Sequence, residues 1–224
     1  MELTATALVA ADQMNSAALA INNVFYGMDY SILEWYHRLG ESTFGHILSP
    51  VLNAITLTGW KGAFLILVSL VLLVIPKTRR TGLCCLFSIV AGGIIVNVIV
   101  KNVVARPRPY DFDLMLRQWW EYAGSHVESD KSFPSGHMNV ACAFTTGFVL
   151  SRDVRWFRRW IIPGALYVTL MGISRNFLIV HYPSDVVFGF FFGVCAGLIG
   201  VLIVRAVYRR WGESKLLREY VGQH

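Results

Sequence analysis

Long apolar runs without charge alternate along the chain with short polar segments. Gly82–Val100 and Val186–Val204 each extend for nineteen residues without a charged side chain. A bilayer core about 30 Å thick needs about 20 apolar residues of helix, so each run predicts a membrane span. Three further stretches, about Thr56–Ile75, Gly136–Leu150 and Trp160–Ile173, bring the expected spans to five. The last two are short, as suits helices surrounded by protein at one end. Lys61, near the end of its span, is expected to snorkel to the interface. Residues 1–28 are rich in Ala and Leu but interrupted by Asp12, Gln13, Asn15, Asn22 and Asn23. They predict either a weak sixth span or an amphipathic helix lying in the interface. Across residues 30–55, Phe44, Ile47, Leu48, Val51, Leu52 and Ile55 share one helical face, while Glu41, Ser42 and His46 lie off it. That pattern predicts a helix along the membrane surface. The expected fold is all-α, a polytopic transmembrane helical bundle. Residues 1–55 form its N-terminal weak span or interfacial helices, 56–205 its transmembrane core and 206–224 a basic tail.

Composition agrees with this layout. The 224 residues are 55% hydrophobic and 15% charged, with a mean hydropathy of +0.51, whereas a soluble domain carries roughly 25% charge. The formal net charge is +6, but no basic run interleaved with aromatics sits on a soluble segment, which argues against a nucleic-acid partner. The surplus lies in short loops beside the apolar runs. Lys77, Arg79 and Arg80, then Arg152, Arg155, Arg158 and Arg159, then Arg205, Arg209, Arg210, Lys215 and Arg218 fall on one side of a five-span layout. The positive-inside rule makes that side cytoplasmic, and the compact chain fits a bacterial inner membrane. Cys84, Cys85, Cys142 and Cys195 lie in apolar stretches without metal-finger spacing and read as structural thiols. The N-terminus lacks the basic region and compact apolar core expected of a cleaved signal peptide.

The opposite side receives three segments rich in chemistry: Lys101 through Pro109, Ser132 through His137, and Ser174 through Asp185. Lys101, Arg108 and Arg175 suit a phosphate, since guanidinium forks bind its oxygens in pairs. Pro134 is expected in the first turn of the third span. The free N–H groups of Ser135, Gly136 and His137 would then face an anion, aided by the helix dipole. Asp185, two residues past Pro183, is placed to hold the imidazole of His181. A histidine oriented by a carboxylate can attack phosphorus. A second one, His137, can protonate the departing oxygen.

The pattern K-x6-RP, PSGH and SR-x5-H-x3-D resembles the three signature motifs of the type-2 phosphatidic acid phosphatase family, which shares a superfamily with the vanadium haloperoxidases and glucose-6-phosphatase. Lys101, Arg108 and Pro109 match the first motif, Pro134 to His137 the second, and Ser174, Arg175, His181 and Asp185 the third. The resemblance implies a helical bundle, usually of six spans. It also implies a phosphohistidine at His181, hydrolysed by water as His137 turns from acid to base. No metal or other cofactor is implied, and orthovanadate should inhibit as a mimic of trigonal-bipyramidal phosphorus. Residues 177–179 read Phe-Leu-Ile where many members carry a glycine.

The remaining polar residues have plainer readings. Arg106, Arg117 and Lys131 read as interface anchors or loop contacts, and His37, His46 and His224 as core or interface residues. His126 keeps a substrate contact as an alternative. In loop 110–133, Trp119, Trp120 and Tyr122 accompany Asp111, Asp113, Glu121, Glu128 and Asp130. They read as headgroup anchors, with a lid over the site as the rival. The function expected is a membrane lipid phosphatase acting on the terminal phosphate of a lipid phosphate or diphosphate. Undecaprenyl diphosphate is the foremost candidate, and an outward-facing site would suit recycling of such a carrier lipid for the cell envelope. Phosphatidylglycerol phosphate and phosphatidic acid are rival substrates. A lipid-to-lipid phosphotransferase and a non-enzymatic transporter or lipid-binding scaffold are rival functions.

Overall fold

The computed structural model describes residues 13–211, which are helical without a strand among them. The helices run α1 (Ser16–Glu41), α2 (Thr43–Gly59), α3 (Ala63–Val74), α4 (Arg79–Gly92), α5 (Lys101–Val104), α6 (Pro109–Phe112), α7 (Leu114–Tyr122), α8 (Gly136–Val149), α9 (Val154–Phe177) and α10 (Pro183–Trp211). A π-helical segment, Gly93–Val100, joins α4 to α5. The start of the expected N-terminal helix, and Lys215, Arg218 and His224 of the basic tail, lie outside the described residues.

Local chemistry sets the breaks. Asn15 caps α1 by accepting the Ala18 N–H at 2.8 Å. Ser42 ends α1 and starts α2: its N–H donates to the Leu39 carbonyl and its hydroxyl accepts from Gly45. The turn is so tight that a Cβ on Gly45 would lie 2.0 Å from the Leu39 oxygen. A second break falls at Trp60–Gly62, where Lys61 (φ 48°) and Gly62 (φ 70°) are both left-handed. Two such residues in succession cannot continue a right-handed helix. Lys61 therefore sits on a bend within the stretch, exposed and with its ammonium over the Trp60 ring.

Three helical stretches among the described residues are long and apolar enough to cross a membrane: Thr43–Val74, Pro76–Phe112 and Pro183–Arg210. The last two contain the expected spans Gly82–Val100 and Val186–Val204, and the first begins at Thr43 rather than Thr56. Its residues Phe44, Ile47 and Val51 are exposed, as lipid-facing side chains should be, and Leu52 is buried. The other two expected spans correspond to α8 and α9. Helix α8 has 14 residues, a length of roughly 21 Å, and α9 carries Arg155, Arg158 and Arg159 near its start. The chain is an integral membrane protein whose all-helical core holds these two less conventional helices among the three apolar ones.

Helix α8 is the central element. Residues from His137 to Ala143 are buried without interruption, the mark of a helix enclosed on all sides, and α4, α9 and α10 surround it. Association of helices in lipid relies on close packing and therefore on small residues. On α10, a Cβ at Gly193 would meet the Asn139 carbonyl at 2.5 Å, one at Gly197 would meet Thr146 Cβ at 2.3 Å, and one at Gly200 would meet the Ser88 nitrogen at 2.4 Å. Gly197→Leu is expected to wedge α10 from α8 and cost about 1–3 kcal/mol. Thermal unfolding in detergent checks this, and an unchanged midpoint would contradict the packing described.

Candidate active site

The start of α5, the loop before α8, the first turn of α8 and the turn between α9 and α10 meet around one cavity of about 570 Å³. Lys101, Arg108, Gly136, His137 and His181 line it, together with Lys61, Asn97, Glu128 and Asp130. Residues from three separate expected segments thus share one site, with both imidazoles on the same cavity.

His181 lies in the turn after α9 and is 1% exposed. Its Nε2 is 3.3 Å from Arg108 Nη1. Its Nδ1 lies 3.6 Å from Asp185 Oδ2, too long for a direct hydrogen bond. Ser132 fills the difference, with its hydroxyl 3.4 Å from Nδ1 and donating to Asp185 Oδ2. The arrangement suits a proton on Nδ1 and a lone pair on Nε2. Burial above all, followed by the charges of Arg108, Arg175 and Lys101, holds the His181 pKa well below the ordinary histidine value, with Asp130 opposing. That direction favours the neutral ring.

Asp185 stands in the first turn of α10, as expected, and is itself held from several directions. Its Oδ2 also accepts the Tyr182 N–H at 3.1 Å, and its Oδ1 accepts from Arg106 Nη1 at 2.7 Å. Arg106 is not an interface anchor: it is fully buried. It donates to Asn22 at 2.7 Å, Ser184 at 2.8 Å and Asp29 at 2.9 Å, with its guanidinium 3.7 Å from the Tyr182 ring centroid. Asp29, from α1, also accepts the N–H and hydroxyl of Ser184. A buried chain of contacts thus links α1 to His181 through Asp29, Arg106, Asp185 and Ser132.

The first turn of α8 departs from expectation. Ser135, not Pro134, borders the helix: it is the N-cap, its hydroxyl accepting from Met138 at 3.4 Å. The Ser135 amide donates to the Asp185 carbonyl at 3.0 Å and so does not face the cavity as an anion donor. The amides of Gly136 and His137 have no acceptor within the helix, and both residues line the cavity. Gly59 of α2 lies directly against the His137 ring, where a Cβ would approach within 2.7 Å of its Cδ2.

Lys101 and Arg108 line the cavity and Arg175 lies behind its Glu128 wall, each with an acidic neighbour from the loop before α8. Asp130 bonds Lys101 and Arg108, and Glu128 bonds Arg175 while lying 3.8 Å from His137 Nδ1. Arg175 also donates to Thr56. Trp119 and Trp120 pack inward instead of anchoring at headgroups, whereas Tyr122 is exposed. Trp119 joins Leu33, Leu116, Ile179 and Tyr182 in one buried cluster, and Trp120 stacks on Tyr110 with centroids 4.4 Å apart. Ile179, within the 177–179 stretch where many members of the resembling family carry a glycine, adopts φ 54°, a left-handed strain for a β-branched residue. Its complete burial in that cluster offsets the cost.

Ser132, Arg106, Asp29, Glu128 and Asp130 were not singled out by sequence reasoning as site residues. For Asp29 a signal existed, because it is the only charged residue between Met14 and Leu33. A lone carboxylate in such a stretch points to a buried partner. Ser132 carried no comparable mark.

Residues 81–209 match the model of the PAP2 superfamily, and the chain belongs to that family. Among its relatives, an undecaprenyl-diphosphatase of Sulfolobus acidocaldarius is 31% identical over 61% of this chain and 61% of its own length. Undecaprenyl-diphosphatase BcrC of Bacillus subtilis is 28% identical over 87% of this chain and 88% of its own. The match to the first of these thus takes in less than two thirds of that relative. The fold is that of a solved PAP2-type phosphatidylglycerolphosphate phosphatase from Bacillus subtilis. The TM-score is 0.63 at 23% identity, over 89% of this chain and 94% of that one.

Proposed function

We propose that this chain is a lipid phosphatase that removes the terminal phosphate of a membrane lipid phosphate or diphosphate through a phosphohistidine at His181. The observation that carries the reading is His181, held through Nδ1 by Ser132 and Asp185, on a cavity it shares with His137, Lys101 and Arg108. The His181 Nε2 lone pair forms the bond to phosphorus while the bond to the lipid oxygen breaks, and His137 delivers a proton to that oxygen. Water then attacks the phosphohistidine, His137 takes its proton, and inorganic phosphate leaves. Lys101, Arg108 and Arg175, with the Gly136 and His137 amides, stabilise the equatorial oxygens. Because these side chains supply the charge, the reaction needs neither metal nor other cofactor.

The same reading places five spans in the bilayer, α8 and α9 included, with residues 56–205 as the phosphatase core. The loops holding Lys77 and Arg152 and the tail after Arg205 face the cytoplasm, and the site opens on the other face. An isoprenoid diphosphate such as undecaprenyl diphosphate is the substrate class best supported. Two of the relatives carry that name. In addition, Lys61 lines the cavity just beyond Gly59, on the side of His137 where the leaving group departs. A cation there favours a leaving group that is itself a phosphate.

Phosphate release from farnesyl diphosphate and from phosphatidic acid by the purified chain tests both levels. Turnover of neither would remove the phosphatase reading. Lys61→Met is expected to lower the diphosphate-to-monophosphate ratio of kcat/KM about tenfold, the scale of one hydrogen bond to a charged group. An unaltered ratio would remove the diphosphate preference alone.

A further inference from the structure

Lys101, Arg108 and Arg175 are buried, and the carboxylates that pair with them come from a single loop nearer the surface. Arg108 Nη2 donates to Asp130 Oδ1 at 2.6 Å and its Nε to the Asp130 carbonyl at 2.9 Å. The second oxygen of Asp130 accepts from Lys101, and Glu128 accepts from Arg175. The cation side chains are 1–5% exposed, whereas Asp130 is 49% and Glu128 20% exposed. The acids therefore cover the cations at the mouth of the site. A phosphoryl group that reaches those nitrogens must take the place of the carboxylate oxygens.

We propose that Glu128 and Asp130 form a charge-selective plug, which a dianionic phosphate terminus displaces and a monoanionic phosphodiester does not. The proposal rests on the phosphate-binding reading of the site and adds to it the class of lipid that gains access. Within this cluster, three buried cations against two carboxylates leave one net positive charge. A dianion that displaces both acids restores that balance. A phosphodiester brings one negative charge, so displacing both acids would leave two buried cations uncompensated, which a low-dielectric site strongly disfavours. The surrounding bilayer is made largely of phosphodiester lipids, present in great excess over any phosphorylated substrate. Rejecting them is a problem of specificity that an internal competitor solves. Burial alone would raise the Asp130 pKa, but Lys101 and Arg108 outweigh it and hold it at about 2, so this half of the plug stays charged.

Calorimetric titration of the detergent-purified full chain at pH 8 tests this without turnover. The probes are inorganic phosphate, then about doubly charged, and dimethyl phosphate, a monoanionic diester. Wild-type protein is expected to bind phosphate at least tenfold more tightly than the diester. In Glu128→Gln/Asp130→Asn that preference should shrink at least tenfold, because the amides keep the shape and remove the charge. Should the double variant fail to fold, Asp130→Asn alone, at a half-exposed position, is expected to shift the preference about threefold in the same direction. An unchanged preference in the folded variant would overturn the plug. Failure of the phosphatase reading is a separate result: no phosphate release from any lipid, whatever the binding preference.

Discussion

His181→Ala is expected to abolish phosphate release from every lipid the wild-type protein hydrolyses, by roughly 10⁴-fold or more in kcat, the scale seen when a nucleophile is removed. Fold should be unaffected, because the ring makes contacts through Arg108 and Ser132 that both have other partners: Arg108 bonds Val180 and Asp130, and Ser132 bonds Asp185. Turnover persisting within tenfold of wild type in a protein with an unchanged melting curve would remove the nucleophile assignment. The pH profile gives a second check. A histidine whose folded pKa is lowered stays unprotonated as pH falls through its ordinary value of 6.5, and loses its lone pair only below that. Since burial and then Arg108, Arg175 and Lys101 lower the His181 pKa, its acid limb in kcat/KM is expected below pH 6.5. A limb above that value would contradict a neutral, cation-flanked imidazole.

Arg106→Met is expected to be the most destabilising single change near the site. It leaves Asp29 and Asp185, both fully buried, without the guanidinium that links them. Removing one partner of a buried ion pair costs about 3–5 kcal/mol, which for a chain of this size lowers the melting midpoint by roughly 10 °C. Activity should fall with it, since Asp185 loses one of the contacts that aim it at Ser132 and His181. Arg106→Lys is not an adequate substitute, because one ammonium cannot reach Asn22, Ser184, Asp185 and Asp29 together. Asp29→Asn keeps one cation opposite one carboxylate and is expected to be much milder. Melting curves of the three variants in detergent decide it: a midpoint for Arg106→Met within a degree or two of wild type would mean the network does not hold the site.

The spans at Gly82–Val100 and Val186–Val204 were legible because hydropathy is a local property and a bilayer imposes a length on it. The N-terminal third was less so. A stripe of apolar residues on α2 looks the same whether the helix lies on a membrane or crosses it, and the bend at Lys61 depends on two left-handed residues that no periodicity announces. Helices α8 and α9 show the opposite limit, since a helix enclosed by protein needs neither the length nor the purity of one facing lipid.

At the site, residue types and short spacings carried far. His181 and Asp185 are four apart, and the start of α10 brings them together. Lys101 and Arg108 flank a short helix end, and His137 opens α8. These are relations within a few turns of chain, which local geometry alone determines. The tertiary structure decided everything that joins distant segments. Arg106 meets Asp29 and Asp185, 77 and 79 residues away, and Glu128 reaches Arg175 across 47. It also placed the Ser132 hydroxyl between imidazole and carboxylate. The physical reason is that a buried charge takes whichever opposite charge the packing brings within reach. Sequence states that Arg106 and Asp29 need partners, and only the assembled bundle states which ones.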